Sequence, residues 1–212
     1  MDKKEFIKLL KKIWHFIWVE DSAASWIVNI ILAFVLIKFI IYPGMGLVFG
    51  TNFPIVAVVS CSMEHNQNLG SCSIQHNNFD SWFDYQSQYY YEKNITKEEF
   101  SGFSFRNGFN KGDLMVLFGV SPEKIKKGDV IVYKAGRPDP IIHRVIQEDF
   151  SNGIFIFQTK GDNNVNQIKS PWLDETNVQQ SQIVGKAVLR IPYLGWVKII
   201  FVEMLKLIGV LK

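Results

Sequence analysis

"DVIVYKAGRPDPIIHRVIQEDFSNGIFIFQTKGD" (residues 129–162) holds three short runs rich in Val, Ile and Phe, each bounded by Gly, Pro, Asn or Asp. Residues of these types suit a pleated, half-buried surface, and their boundaries are turn formers, so each run reads as a β-strand. Working outward, the same composition returns in FPIVAVVS (53–60), DLMVLFGV (113–120) and IVGKAVLRI (183–191). No convincing helical pattern interrupts these segments. That argues against βαβ order and predicts a mainly β domain, with sheets folded over one core. The pairs Gly112-Asp113, Gly128-Asp129 and Gly161-Asp162 are irregularly spaced and read as turns, not repeats.

With 212 residues the chain has room for one domain plus appendages, and its net charge of +3 arises from nearly balanced acids and bases. A nucleic-acid binder would cluster Lys and Arg on one face; here they are scattered, and no nucleic-acid partner is expected. Two cysteines, Cys61 and Cys72, are too few for a disulfide framework. They read as inert thiols, or as one bridge if the domain lies outside the cytosol. Neither they nor His15, His65, His76 and His143 show metal-ligand spacing, and there is no phosphate loop, so no metal and no other cofactor is expected.

Residues 23–42 (AASWIVNIILAFVLIKFIIY) are apolar for the roughly 20 residues that a helix needs to cross hydrocarbon. Lys38, their only charge, stands one turn from the end, where its stem carries the ammonium to the headgroups. Lys3, Lys4, Lys8, Lys11 and Lys12 precede the segment, while 43–62 holds no charged residue, which predicts a cytoplasmic N-terminus and an extracytoplasmic remainder. The run is longer than a cleaved leader's apolar region and no small-x-small site follows closely, so it reads as an uncleaved anchor. Residues 1–22 place Phe6, Leu9, Leu10, Ile13 and Ile17 at helical spacing with lysines largely opposite, the pattern of a surface-lying helix. At the other end, 193–212 is long and apolar, but Lys198, Glu203 and Lys206 fall within about 140° on one helical face. An interfacial helix is expected there, with a second span as its rival.

Residues 66–111 stand apart: "FDSWFDYQSQYYYEKN" is aromatic and polar without strict period, and reads as an ordered insertion in the 43–192 domain. Trp82, Phe83, Tyr89, Tyr90 and Tyr91 are expected to make either a membrane-surface rim or a small satellite core. Asn94-Ile95-Thr96 matches an N-glycosylation sequon, usable on an external face.

In chain order, SCSME (60–64), KGDLMVL (111–117), KGDVIVYKAGRPDPIIHRV (127–145), TKGDNN (159–164) and IVGKAVLRIPYLGW (183–196) resemble the type I signal peptidases. The likeness is to the archaeal and endoplasmic-reticulum branch, which uses histidine where most bacterial relatives use lysine. It covers roughly half of the soluble part and leaves out the insertion and both ends. The resemblance implies Ser62 as nucleophile, His143 as the base that activates it, and Asp162 as the acid that orients the imidazole. It also implies an oxyanion site made by the Ser62 amide and the Ser60 hydroxyl. Many relatives carry a second aspartate soon after the first; here none comes before Asp174, so Asp162 acts alone or Asp174 folds back to assist. Cys61 stands at the usual glycine position and His65 at the usual proline position. His65 is thereby a rival base, whereas Cys61, next to Ser62 in an extended segment, would point away. Lys134 falls outside the matching position and reads as a solvated strand-end lysine, and strand alternation puts Arg144 in solvent opposite His143.

The expected protein is a signal-peptidase-like β-sheet domain on a transmembrane helix, with a C-terminal membrane-associated helix. Its expected activity is that of a serine endopeptidase cleaving signal peptides from exported pre-proteins after small residues. Its expected partners are those signal peptides, the lipid bilayer and the Sec translocon, and its place is the cell membrane, or the endoplasmic reticulum membrane if eukaryotic. Two rivals are a narrow-specificity peptidase for surface or pilin-like precursors and a catalytically inactive accessory subunit.

Overall fold

The computed structural model describes residues 2–65, 76, 78–207 and 209 and divides the chain into two compact units, Met1–Val48 and Phe49–Lys212. In the first unit α1 (Lys3–Trp18) is followed by α2 (Ala23–Leu36), which runs through a π-helical turn, Ile37–Ile41, into α3 (Tyr42–Phe49). The resulting 27-residue helix, Ala23–Phe49, is long and apolar enough to cross a bilayer, and it passes the expected end at Tyr42 by a further seven residues. Pro43 has no N–H to return to the preceding turn. The wider π turn, in which Tyr42 N donates to Ile37 O, lets the helix continue past it. Asn29, costly in lipid if unpaired, donates from Nδ2 to Ile17 O at 3.0 Å, and Ser25 Oγ donates to Phe16 O at 2.7 Å. Two carbonyls at the end of α1 are thus capped by side chains of α2.

The second unit is mainly β. Its seven-stranded antiparallel sheet has the order β1-β2-β9-β3-β4-β5-β8, from β1 (Ile55–Ala57), β2 (Leu114–Phe118), β3 (Val130–Tyr133), β4 (Ile141–Ser151), β5 (Ile154–Lys160), β8 (Val178–Gln179) and β9 (Ile183–Ile191). A two-residue pair, β6 (Lys169–Ser170) and β7 (Leu173–Asp174), lies beside it. Central β3 is buried throughout: Val130 and Val132 pack with Met63, Phe109 and Met115, while Ile131 and Tyr133 pack with Val145, Phe157 and Val178. Core therefore lies on both faces of this strand, where a single shared core was expected. The first two Gly-Asp pairs are turns, in which Gly112 and Gly128 take φ of 90° and 92° and the aspartate accepts from the backbone N–H three residues earlier. At Gly112 a Cβ would also strike the Trp196 indole, the first residue of α6 (Trp196–Leu207). Cys61 is disulfide-bonded; Cys72, its expected alternative partner, lies outside the described residues.

The aromatic insertion folds into helices that the sequence reading did not anticipate, α4 (Phe79–Glu92) and α5 (Lys97–Ser101). Asn78 accepts from Ser81 N at 2.9 Å to cap the first, and Thr96 accepts from Glu99 N at 3.2 Å to cap the second. Trp82, Phe83, Gln86 and Tyr90 are the buried residues of α4, a helical stripe disguised by its glutamine. Trp82, Phe83 and Tyr90 pack with Ile95, Phe100 and Ile146, all fully buried or nearly so, which makes a satellite core of residues considered for a membrane rim. This layer also overturns the solvent position expected for Arg144: the residue is fully buried, its guanidinium 4.7 Å over the Phe100 ring. Among the described residues Ala23–Phe49 is the one helix that meets the length and composition for a span; α6 has 12 residues.

Replacing Trp82 by Ala is expected to remove about 3–5 kcal/mol of folding free energy. Tyr91→Ala, on the exposed side of the same helix, is expected to cost less than about 0.5 kcal/mol. Denaturant melts of the detergent-solubilised chain, followed by circular dichroism, check the contrast, and equal midpoints would contradict the satellite core.

Candidate active site

Ser62 sits in the turn that follows β1, held by Glu64 N donating to Cys61 O at 3.1 Å and Phe109 N donating to Met63 O at 3.0 Å. The strand register sets His143 of β4 opposite Ile131 of β3. Its imidazole, nearly buried at 4% exposure, meets Ser62 Oγ through Nε2 at 2.8 Å. Ser60 Oγ lies 3.2 Å from Ser62 Oγ, so the two serines and His143 are brought together as the sequence implied.

Asp162 is not the carboxylate behind the imidazole. His143 Nδ1 is hydrogen-bonded to Glu175 Oε1, and Glu175 is fully buried, its other oxygen accepting from Ile168 N. A carboxylate at Nδ1 selects the Nδ1–H tautomer, which leaves the Nε2 lone pair for the Ser62 proton. Asp174, the alternative acid weighed from sequence, turns away and accepts from Thr176 N at 2.9 Å and Thr176 Oγ1 at 2.6 Å. The signal for Glu175 was strand alternation at β7: Leu173 enters the core, Asp174 points out, and the next side chain returns inward.

Asp162 is engaged elsewhere. Arg144 donates to it from Nε at 2.9 Å and from Nη2 at 2.7 Å, His65 Nε2 bonds it at 2.9 Å, and Tyr90 Oη donates at 3.4 Å. Burial alone would raise this carboxyl, but the Arg144 guanidinium and then the His65 hydrogen bond outweigh it and hold Asp162 well below the usual carboxylate range. His65, the rival base, is stacked on Trp82 at 3.4 Å between ring centroids, with Nε2 on Asp162; burial lowers its pKa. Lys134, the lysine alternative, lies with Nζ 5.7 Å over the Phe53 ring.

The loop after β5 closes the site. Asn163 N donates to Ser62 O at 2.8 Å and Asn163 Nδ2 to Cys61 O at 3.2 Å. Between them and β5, Gly161 leaves no room for a side chain: a Cβ there would lie 2.9 Å from both His143 Nε2 and Ser62 Cβ and 2.7 Å from Asn164 Nδ2. Lys160, fully buried, donates from Nζ to Gln86 Oε1, Gly161 O and Asp162 O at 3.1, 3.2 and 3.4 Å. Desolvation lowers its pKa to about 8, against the opposing pull of Asp162 and Glu175. Among the described residues no group of three or more His, Cys, Asp or Glu is arranged to hold a metal ion.

No family model matches the chain. It is similar to the signal peptidase complex catalytic subunit SEC11C of Homo sapiens, with 37% identity over 100 residues that cover 46% of this chain and 52% of that protein. The catalytic subunit SEC11 of Scheffersomyces stipitis matches at 35% over 107 residues, covering 47% of this chain and 61% of that protein. That of Candida tropicalis matches at 32% over 103 residues with the same two shares, 47% and 61%. The chain thus spans between half and three fifths of the length of the curated relatives it matches. Over just under half of its own length it is homologous to catalytic subunits of signal peptidase complexes, the branch its sequence boxes resemble.

Proposed function

We propose that the chain is a membrane-anchored serine endopeptidase that removes signal peptides from exported pre-proteins, cutting after small residues. The observation that carries this reading is the line of Ser62 Oγ, the His143 imidazole and the Glu175 carboxylate, with a 2.8 Å Ser62–His143 contact. His143 Nε2 takes the Ser62 proton as Oγ attacks the scissile carbonyl and returns it to the leaving amine; Glu175 holds the tautomer and stabilises the imidazolium. Ser60 Oγ and the Ser62 amide donate to the developing oxyanion. Asp162, implied as the orienting acid by resemblance, is assigned instead to scaffolding through Arg144 and His65. β1, bonded within the sheet to β2 alone among the described residues, offers its outer edge for pairing with an extended substrate.

In this reading Ala23–Phe49 is the membrane anchor, the N-terminus is cytoplasmic and the Phe49–Lys212 unit is extracytoplasmic, the side on which substrates emerge. Exposed Val197, Ile200, Phe201 and Met204 on α6 support an interfacial seat for that helix. Association with the translocon that delivers the pre-protein belongs to the same reading.

Reconstituted in lipid with a pre-protein, wild type is expected to cut after a small-x-small site, and Ser62→Ala or His143→Ala to lose activity by several orders of magnitude. Cleavage by Ser62→Ala would sink the mechanism. Glu175→Gln is expected to lower kcat on the order of 10³–10⁴-fold by favouring the wrong tautomer, a loss that Asp174→Asn should not share. Gly161→Ala, whose methyl must displace the Ser62–His143 pair, is expected to lower kcat about 100-fold.

The low pKa of Asp162 carries a separate expectation. A carboxyl depressed in the folded state adds stability that is complete above its unfolded value, about 4, and is lost as pH falls toward the folded value. Asp162→Asn should therefore flatten the acid limb of a stability-against-pH curve as well as lower its plateau. An unchanged acid limb would mean that another group controls it.

A further inference from the structure

Beside the loop that closes the active site lies a cavity of about 370 Å³, walled by Tyr85, Gln86, Tyr89 and Glu92 of α4 and by Val165 and Asn166 of the loop. Two of the side chains that wall it carry a buried hydrogen-bonding atom with no partner among the described residues, Gln86 Nε2 and Tyr89 Oη, and a third such atom, Asn164 Nδ2, belongs to the residue before Val165. Gln86 is only 3% exposed, and its amide cannot usefully turn over, because Oε1 accepts from the Lys160 ammonium and so directs the NH₂ away from it. Tyr89 lays its ring over the same ammonium at 4.9 Å, and burial holds its hydroxyl protonated far above neutral pH, so it remains a donor. Asn164 Nδ2 and the Ser62–His143 pair all crowd the point where a Gly161 Cβ would stand. The donors therefore belong to side chains that run from beside Ser62 to the wall of the cavity at the α4 insertion.

Buried donors without acceptors are costly, and three on one path ask for a ligand rich in acceptors. The main chain of a peptide offers a carbonyl at every residue. Glu92 at the rim disfavours an anion there and leaves a neutral carbonyl as the fitting acceptor. Direction follows from topology: β1 stands at one edge of the sheet, while β5, which feeds this loop, lies next to the other. The two approach Ser62 from opposite edges. A substrate strand lying along β1 before the cut continues toward the loop and α4 after it.

We infer that Asn164, Gln86 and Tyr89 form a subsite for the main-chain carbonyls of the first few residues after the cleaved bond, so that the insertion reads the start of the mature protein. This rests on the peptidase reading above. It makes the insertion a substrate-binding element as well as a satellite core.

The test uses the whole 212-residue chain in lipid and two peptides with one signal-peptide portion, ending one residue or six residues after the cut. In wild type, kcat/KM is expected to be at least about 10-fold higher for the longer peptide, each hydrogen bond contributing roughly 3–10-fold. Tyr89→Phe, which removes only the hydroxyl, should lower the long-to-short ratio about 3-fold. Gln86→Glu, which keeps the acceptor for Lys160, loses the donors and sets a carboxylate against the substrate carbonyls, should lower the ratio further, by about 10-fold. In a Ser62→Ala background the same substitutions should weaken binding of the longer peptide, measured by fluorescence anisotropy, in the same order. Equal ratios in all three proteins, or no length dependence in wild type that cuts both peptides, would overturn the subsite and leave the peptidase standing. Failure of wild type to cut either peptide would overturn both.

Discussion

A fully buried arginine facing a fully buried aspartate is the constraint around which the second unit is arranged. Each ion alone would be intolerable in the interior, and removing one partner of such a pair costs about 3–5 kcal/mol. The guanidinium is therefore met on every side: Nε and Nη2 by Asp162, Nη1 by Ser104 O and Gly128 O, Nη2 also by Phe105 O, and its face by Phe100. These partners come from the loop after β5, the turn before β3 and the end of the insertion. One side chain thus ties together segments that the sheet ladder leaves unconnected.

That pair also determines which acid serves the histidine. Asp162 is already matched by Arg144, His65 and Tyr90, and the carboxylate at His143 Nδ1 comes from another segment, as Glu175 at the end of β7. The two consecutive residues of β4 point to opposite faces: His143 to Ser62 and Glu175, Arg144 to Asp162 and the α5 layer. Because Asp162 is fixed, its neighbours are fixed too. Gly161 and Asn163 press on the Ser62 turn from either side of the aspartate, so a buried ion pair helps to fix the position of Ser62 without touching it.

What was legible in the sequence follows the same physics. Short runs rich in β-branched residues announced β2, β3, β4, β5 and β9, and the apolar length before Tyr42 announced the long helix, since both depend on local composition. Ser62 and His143 were found through ordered sequence boxes, not through any local property. Arg144 was misplaced because strand alternation says which face a residue takes and nothing about what covers that face; here α4 and α5 do. Those helices were hidden because Gln86 breaks an otherwise apolar stripe, and its partner Lys160 lies far away in the chain. Glu175 was one residue from the acid considered, a distance that reverses the side of a strand.

Charge balance in the interior explains why these departures belong together. The buried network holds two cations, Arg144 and Lys160, and two carboxylates, Asp162 and Glu175. Arg144 bonds directly to Asp162, and Lys160 donates to main-chain oxygens and to Gln86 in place of either carboxylate. Among the described residues, the Glu175 carboxylate accordingly bonds no lysine or arginine; its partners are the His143 imidazole and the Ile168 amide. In the proposed mechanism the imidazolium formed when Ser62 gives up its proton would lie against the Glu175 carboxylate, to which it is hydrogen-bonded through Nδ1, and be stabilised by it. By accepting the Lys160 ammonium, the glutamine of α4 gives that charge a partner other than Glu175, so a helix outside the family boxes contributes to the electrostatics of the residues within them.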